Sequence, residues 1–170
     1  MIGYGEISTV LEIDTGRKSE LAYKRVPLFR TELEVEHYEA IYKDYIQTMS
    51  DRIGIQVVSS DITRIIDGDH NRVVIYIVQE KLPKESLGHK AIHLLPEHEI
   101  NKLVLAILTE LSKLFDFNQQ NKGNLELGID GQISNWAIVN FNPETGRLDE
   151  KISLVYIDTS TPLMCRDGKE

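Results

Sequence analysis

The stretch from Leu127 to Ser160, LGIDGQISNWAIVNFNPETGRLDEKISLVYIDTS, constrains the fold more than any other part of this chain. Trp136-Ala-Ile-Val-Asn-Phe141 and Ile152-Ser-Leu-Val-Tyr-Ile157 are rich in β-branched and aromatic residues. The Asn142-Pro-Glu-Thr-Gly146 segment between them is a run of turn formers. Such a pattern reads as an antiparallel hairpin. Asp130 and Asn135 precede its first strand and Asp158 follows its second, so pairing brings three oxygen-bearing side chains to one end. Oxygen ligands of this kind suit a magnesium ion and a phosphate.

Asp130-Gly-Gln-Ile-Ser-Asn135 places an Asp five residues before an Asn, and Ile157-Asp158-Thr159-Ser160 sets a second Asp after the hairpin. That spacing resembles the catalytic core of the protein-kinase-like superfamily, specifically its aminoglycoside phosphotransferase and choline kinase branch. The resemblance implies that Asp130 is the catalytic residue facing the acceptor hydroxyl, and that Asn135 and Asp158 are metal ligands. Departures are visible too. Gly128 stands where the family has a His, and Thr159-Ser160 stands where it usually has an aromatic or small residue and then Gly.

Composition sets the outer limits. The chain has 170 residues, 41% of them hydrophobic, which suits one domain with a real core. A net charge of −8, with Lys and Arg scattered, argues against a nucleic-acid partner, because a binder of phosphate backbone carries a basic patch. One cysteine, Cys165, excludes an internal disulfide and fits a reducing cytoplasm. No apolar run approaches the roughly 18 to 20 residues that span a bilayer, so no membrane partner is expected.

At the amino end, Gly3-x-Gly5-x-x-Ser8-x-Val10 reads as a glycine turn feeding an alternating strand. It is similar to the kinase glycine-rich loop, with Ser8 in place of the third glycine. The resemblance gives Gly3, Gly5 and Ser8 to the nucleotide phosphates and Val10 to the base. A dinucleotide-binding fingerprint would need a helix next, and Val10 to Ile13 is β-like instead. Leu21-Ala-Tyr-Lys-Arg-Val26 follows as a short strand. Its Lys24 sits where the family has the lysine that contacts the α- and β-phosphates, although a strand lysine can equally be solvated. Thr31 and Glu34 are spaced as a capping box for a helix over about Glu32 to Met49, striped by Val35, Tyr38, Tyr42, Tyr45 and Met49. The family pairs a helix glutamate with the strand lysine. Glu39 is the best match and Glu36 the second.

Ile55-Gln-Val-Val58 and Arg72-Val-Val-Ile-Tyr-Ile-Val-Gln-Glu80 read as the next strands, separated by the turn Asp67-Gly-Asp-His-Asn71. His89 and His93 share a helix face with His98 nearby. With one thiol in the chain they read as surface histidines rather than a zinc site. Pro96-Glu-His-Glu99 opens the longest helix, roughly Glu97 to Phe117, with a wide apolar face of Ile100, Leu103, Val104, Ile107, Leu108, Leu111, Leu114 and Phe115.

The elements thus run in the family's order. They predict an α+β fold of the kinase-like, two-lobed kind, with an amino-terminal lobe over residues 1–82 made of a five-stranded antiparallel sheet and one helix. A partial carboxy-terminal lobe over 83–170 carries the long helix and the hairpin. Only ten residues follow Ser160, so the chain reads as a fragment or a minimal version, and the acceptor-binding helices of relatives have no counterpart. The function the resemblance implies is an ATP- and magnesium-dependent phosphotransferase acting on a small-molecule hydroxyl. Gly128, Ser8 and Thr159-Ser160 point to the alternative, a pseudokinase-like nucleotide-binding or interaction module without turnover.

Overall fold

In the computed structural model the described residues are 3–4, 9–11, 20–26, 29–67 and 72–168. The fold is α+β. Two compact units divide it: Met1–Asp44 with Val58–Lys81, and Tyr45–Val57 with Leu82–Glu170. Segment 45–57 belongs to the second unit, whereas a division at residue 82 assigns it to the first. Its side chains explain the assignment, since Tyr45, Met49, Ile53 and Ile55 are all buried in the second unit's apolar cluster.

The first unit is built on a five-stranded sheet. β1 (Gly3–Tyr4), β2 (Thr9–Leu11), β3 (Leu21–Val26), β4 (Ser60–Asp67) and β5 (Arg72–Glu80) lie in the order β1-β2-β3-β5-β4, every neighbouring pair antiparallel. Burial along β5 alternates strictly, with Val73, Ile75, Ile77 and Gln79 inside. This is the period-two pattern of a strand covered on one face. Helix α1 (Glu32–Gln47) packs Val35 against Val73 and Ile75, flanked by Phe29, Tyr38 and Ile62. Its start is the capping box read from the sequence: the Glu34 amide donates to Thr31 Oγ1 at 3.2 Å, and the Thr31 amide donates to Glu34 Oε2 at 3.1 Å. The same carboxylate also accepts from the Arg30 amide, so these backbone donors hold Glu34 below its ordinary pKa.

Ile55–Val58 does not form the strand that its composition suggests. The fourth strand is Ser60–Asp67, and Val57 makes only an isolated parallel bridge to Tyr156. Ile55 and Val58 are both buried, so this run is apolar because its residues enter cores, not because it joins the sheet. Ser60–Asp67 is an outer strand with Ile65 and Ile66 exposed, and so lacks the clean alternation that marks a half-buried strand. Helix α1 also stops two residues before the expected Met49. A π-helical turn, Thr48–Ile53, continues it and buries Met49 and Ile53. The predicted turn at 67–71 lies outside the described residues beyond Asp67.

The second unit is organised by helix α3 (Glu97–Gln120), three residues longer than its apolar pattern indicates. Leu103, Ile107, Leu114 and Phe117 face the core. Val104, Leu108 and Phe115 are exposed, so the buried stripe is narrower than the apolar one. Short helix α2 (Gly88–Ala91) follows a 3₁₀ turn at Lys84–Ser86. Strand β6 (Leu125–Leu127) pairs with β9 (Met164–Arg166), a ladder the sequence does not announce. Strands β7 (Trp136–Ile138) and β8 (Leu154–Tyr156) form the expected antiparallel pair, shorter than predicted, with Trp136 opposite Tyr156 and Ile138 opposite Leu154. Among the described residues no helix is long and apolar enough to cross a membrane.

Candidate functional site

The β7–β8 register determines which loop residues meet. Because Trp136 is opposite Tyr156, Asn135 and Ile157 are the next pair outward, and the Ile157 amide donates to the Asn135 carbonyl at 2.9 Å. Asn135 closes a 3₁₀ turn (Ile133–Asn135), its amide donating to Gln132 O at 2.9 Å. Helix α2 backs this turn at Gly88, where a Cβ would overlap the Ile133 carbonyl oxygen. Asn135 Nδ2 donates to the Asp130 carbonyl at 3.3 Å, tying the two residues of the Asp-x4-Asn spacing directly together. Asp130 is exposed, and its Oδ1 accepts the Gln132 amide at 3.1 Å in an Asx turn.

On the other strand, half-buried Asp158 accepts at Oδ1 from the Ser160 hydroxyl at 2.9 Å. Thr159 and Ser160 are both buried. Two phenols underlie the loop. Tyr45, 1% exposed, donates its hydroxyl to the Gly128 carbonyl at 2.9 Å. Tyr156, 2% exposed, packs edge-on against Trp136 at 5.3 Å between ring centroids. Burial pushes the Tyr45 phenol far up, and the nearby Asp158 carboxylate adds to this. Tyr156 is raised by burial first, then by Tyr45, Asp158 and, more weakly, Asp130. Both phenols are therefore neutral across the physiological range, and both carboxylates lie close enough to act on the same ring hydroxyl.

Gly128 also has a visible reason. Its amide donates to Leu163 O at 2.8 Å, and a Cβ there would stand 2.9 Å from the Leu163 Cβ. No side chain fits in this geometry, a histidine included.

The first unit holds the remaining sequence candidates. Gly3 and Val10 are backbone partners across the β1–β2 ladder, and Val10 is in turn opposite Lys24. Gly5 and Ser8 lie outside the described residues. Lys24 is not the solvated strand lysine its sequence allows: it is buried, on the face of β3 that carries Val26 and opposite Ile77. An ammonium this enclosed needs an anionic or polar environment. Glu39 does not supply it as the resemblance predicts. Both its oxygens take Arg64 of β4, at 2.6 Å each, and that guanidinium holds its carboxyl below the usual range. The bidentate fork of Arg64 is the better geometric match for a carboxylate. Lys43 is the other cation acting on Glu39.

Asp130, Asn135 and Asp158 are thus gathered on one end of the hairpin in the second unit. Tyr45, Tyr156 and Ser160 belong to the same cluster and were missed as functional groups in the sequence. Tyr45 reads as core stripe and Tyr156 as strand, and nothing local signals that the Tyr45 hydroxyl has a backbone partner. Asn135 and Asp158 are hard-oxygen donors that fit magnesium, with Asn135 Nδ2 already committed to Asp130 O and its amide oxygen the remaining donor atom. Among the described residues there is no group of three or more His, Cys, Asp or Glu side chains arranged to hold a metal. Of the histidines read as surface residues, His93 and His98 are exposed, whereas His89 is half-buried, its pKa lowered by burial.

Fold and site together define an α+β protein with a loop-and-hairpin cluster of acidic and amide oxygens braced by buried tyrosines. The chain belongs to DUF6206, a family of unknown function, whose model matches residues 2–170. No curated protein and no solved structure matches it.

Proposed function

We propose that this chain is an ATP- and magnesium-dependent phosphotransferase of protein-kinase-like, two-lobed fold that acts on a small-molecule hydroxyl in the cytoplasm. The observation that carries this reading is the joining of Asp130 to Asn135 and of Asn135 to Ile157, which brings both ends of the Asp-x4-Asn spacing beside Asp158. Asn135 and Asp158 would hold magnesium, which neutralises phosphate charge when bound. Ser160 orients the Asp158 carboxylate. Asp130, exposed to solvent, orients the acceptor hydroxyl and takes its proton. Lys24, Gly3, Gly5 and Ser8 serve the nucleotide phosphates, and Val10 the base, as the resemblance implies.

The second reading, a nucleotide-binding or interaction module without turnover, has three observations in its favour. Position 128 has no room for a histidine, Asp130 Oδ1 is engaged by Gln132, and Glu39 is engaged by Arg64.

Thermal unfolding with and without Mg·ATP separates both readings from a chain that binds no nucleotide. At 100 times the dissociation constant, ligand binding stabilises by about 2.7 kcal/mol, a rise of about 5 to 10 °C. Asp158→Asn should remove more of that rise than Asp130→Asn. Asp130→Ala should keep the rise and lower phosphoryl transfer from labelled ATP by about 10²- to 10⁴-fold. The phosphotransferase reading fails if neither ATP nor GTP with magnesium moves the melt. Binding without transfer over a panel of small alcohols and aminoglycosides leaves the module reading in place.

A further inference from the structure

The loop that carries Asp130 is held by backbone bonds to groups distant in sequence. Gly128 N–H goes to Leu163 O, and the Gly128 carbonyl takes the Tyr45 hydroxyl. Tyr45 sits in the last turn of α1, 83 residues before Gly128, and Tyr156 lies on β8. Both rings belong to the second unit's buried cluster, and Tyr156 meets Trp136 edge-on at 5.3 Å between centroids. Phenylalanine would fill either position equally well. A hydroxyl buried that deeply is a net cost unless it is bonded, so its presence is explained by the polar partner it serves. For Tyr45 that partner is the loop backbone at Gly128, two residues before Asp130.

We propose that Tyr45 is a positioning residue, which holds the Asp130 carboxylate in its working place by fixing the backbone of the loop at Gly128, two residues before it. A tyrosine is well suited to this task. Its ring is locked by packing through two side-chain torsions, and its hydroxyl then stands at a fixed height above the core. Side-chain contacts with Asp130 would occupy the carboxylate, whereas backbone contacts leave it to face solvent. The catalytic part of this inference rests on the role given to Asp130 above. The brace itself does not.

The test uses the full chain and its Tyr45→Phe variant, which keeps the ring and removes one oxygen. Two quantities are read: amide hydrogen exchange at residues 128–132, and the steady-state constants of phosphoryl transfer from Mg·ATP. Exchange at these amides should rise about tenfold, the loss of one hydrogen bond. In the same variant kcat should fall about 10- to 100-fold with KM for ATP within twofold of wild type, as a misplaced catalytic group predicts. Tyr42→Phe is the control. It lies on the same helix stripe but bonds Ser60 Oγ at 2.6 Å, and should change neither quantity. Unchanged exchange in Tyr45→Phe overturns the brace. Raised exchange with unchanged kcat overturns its positioning role. A wild type that transfers no phosphate removes the phosphotransferase reading and the tyrosine's service to it, and the exchange data then decide the brace alone.

Discussion

Two carboxylates singled out by the sequence, Glu39 in the first unit and Asp158 in the second, are held in opposite ways. Glu39 lies on a helix, its side chain 14% exposed, and takes an exposed guanidinium from an outer strand, so that water and salt reach the pair from the arginine side. Asp158 takes a neutral hydroxyl two residues on, with buried phenols beneath it. The first arrangement is screened by solvent and salt, and adds little to stability. The second draws on the packing of a core, because Tyr45, Tyr156 and Ser160 near Asp158 are themselves buried. The difference teaches where function can be built. An ion pair can orient a side chain, but a loop whose backbone is bonded to core residues keeps its geometry when the surface changes.

Four substitutions would break or sharpen this contrast. The largest effect is expected at Trp136, fully buried beneath the loop and packed against Tyr156. Its Nε1 has no protein acceptor among the described residues, so what it contributes is packing. Trp136→Ala should cost about 3 to 5 kcal/mol in urea unfolding followed by circular dichroism. A loss no larger than that of a surface substitution would refute the idea that the site stands on this core.

Gly128→Ala comes next. The added methyl meets the Leu163 Cβ, an atom close to the backbone that cannot swing aside, so about 1 to 3 kcal/mol should be lost. Gly131→Ala should cost less, because its nearest neighbour is the Leu111 Cδ1, the far end of a flexible side chain, at 3.1 Å. Equal losses at the two glycines would mean that the loop is not specially confined at 128.

The smallest effect is expected at Glu39. Its folded pKa is depressed by Arg64, so its contribution is present above the carboxylate's unfolded value of about 4.3 and is lost as pH falls through the lower folded value. Melting curves of wild type and Glu39→Gln should therefore differ slightly at pH 7 and converge in acid. A gap that widens on acidification would contradict the pairing.

What the sequence determined by itself is what depends on near neighbours along the chain. Thr31 and Glu34 are three residues apart and make the capping box they spell. The hairpin follows from two β-rich runs around a Pro-Gly turn, and α3 from its apolar spacing. The closeness of Asp130 to Asn135 also follows, because one short turn spans the interval. What only the tertiary structure decided is the choice among partners that composition leaves equivalent. Ile55 could have joined a sheet and instead entered the second unit's core. Glu39 could have met Lys24 and meets Arg64. Tyr45 could have been a ring filler, and its hydroxyl bonds the Gly128 carbonyl. Met164–Arg166 has no strong strand signature and gains its ladder from β6. The physical reason is common to all four. A side chain's periodicity states whether it is buried, but a hydrogen bond or ion pair is directional and short. Its partner is therefore fixed only when segments as far apart as Tyr45 and Gly128 have been brought within 3 Å of each other.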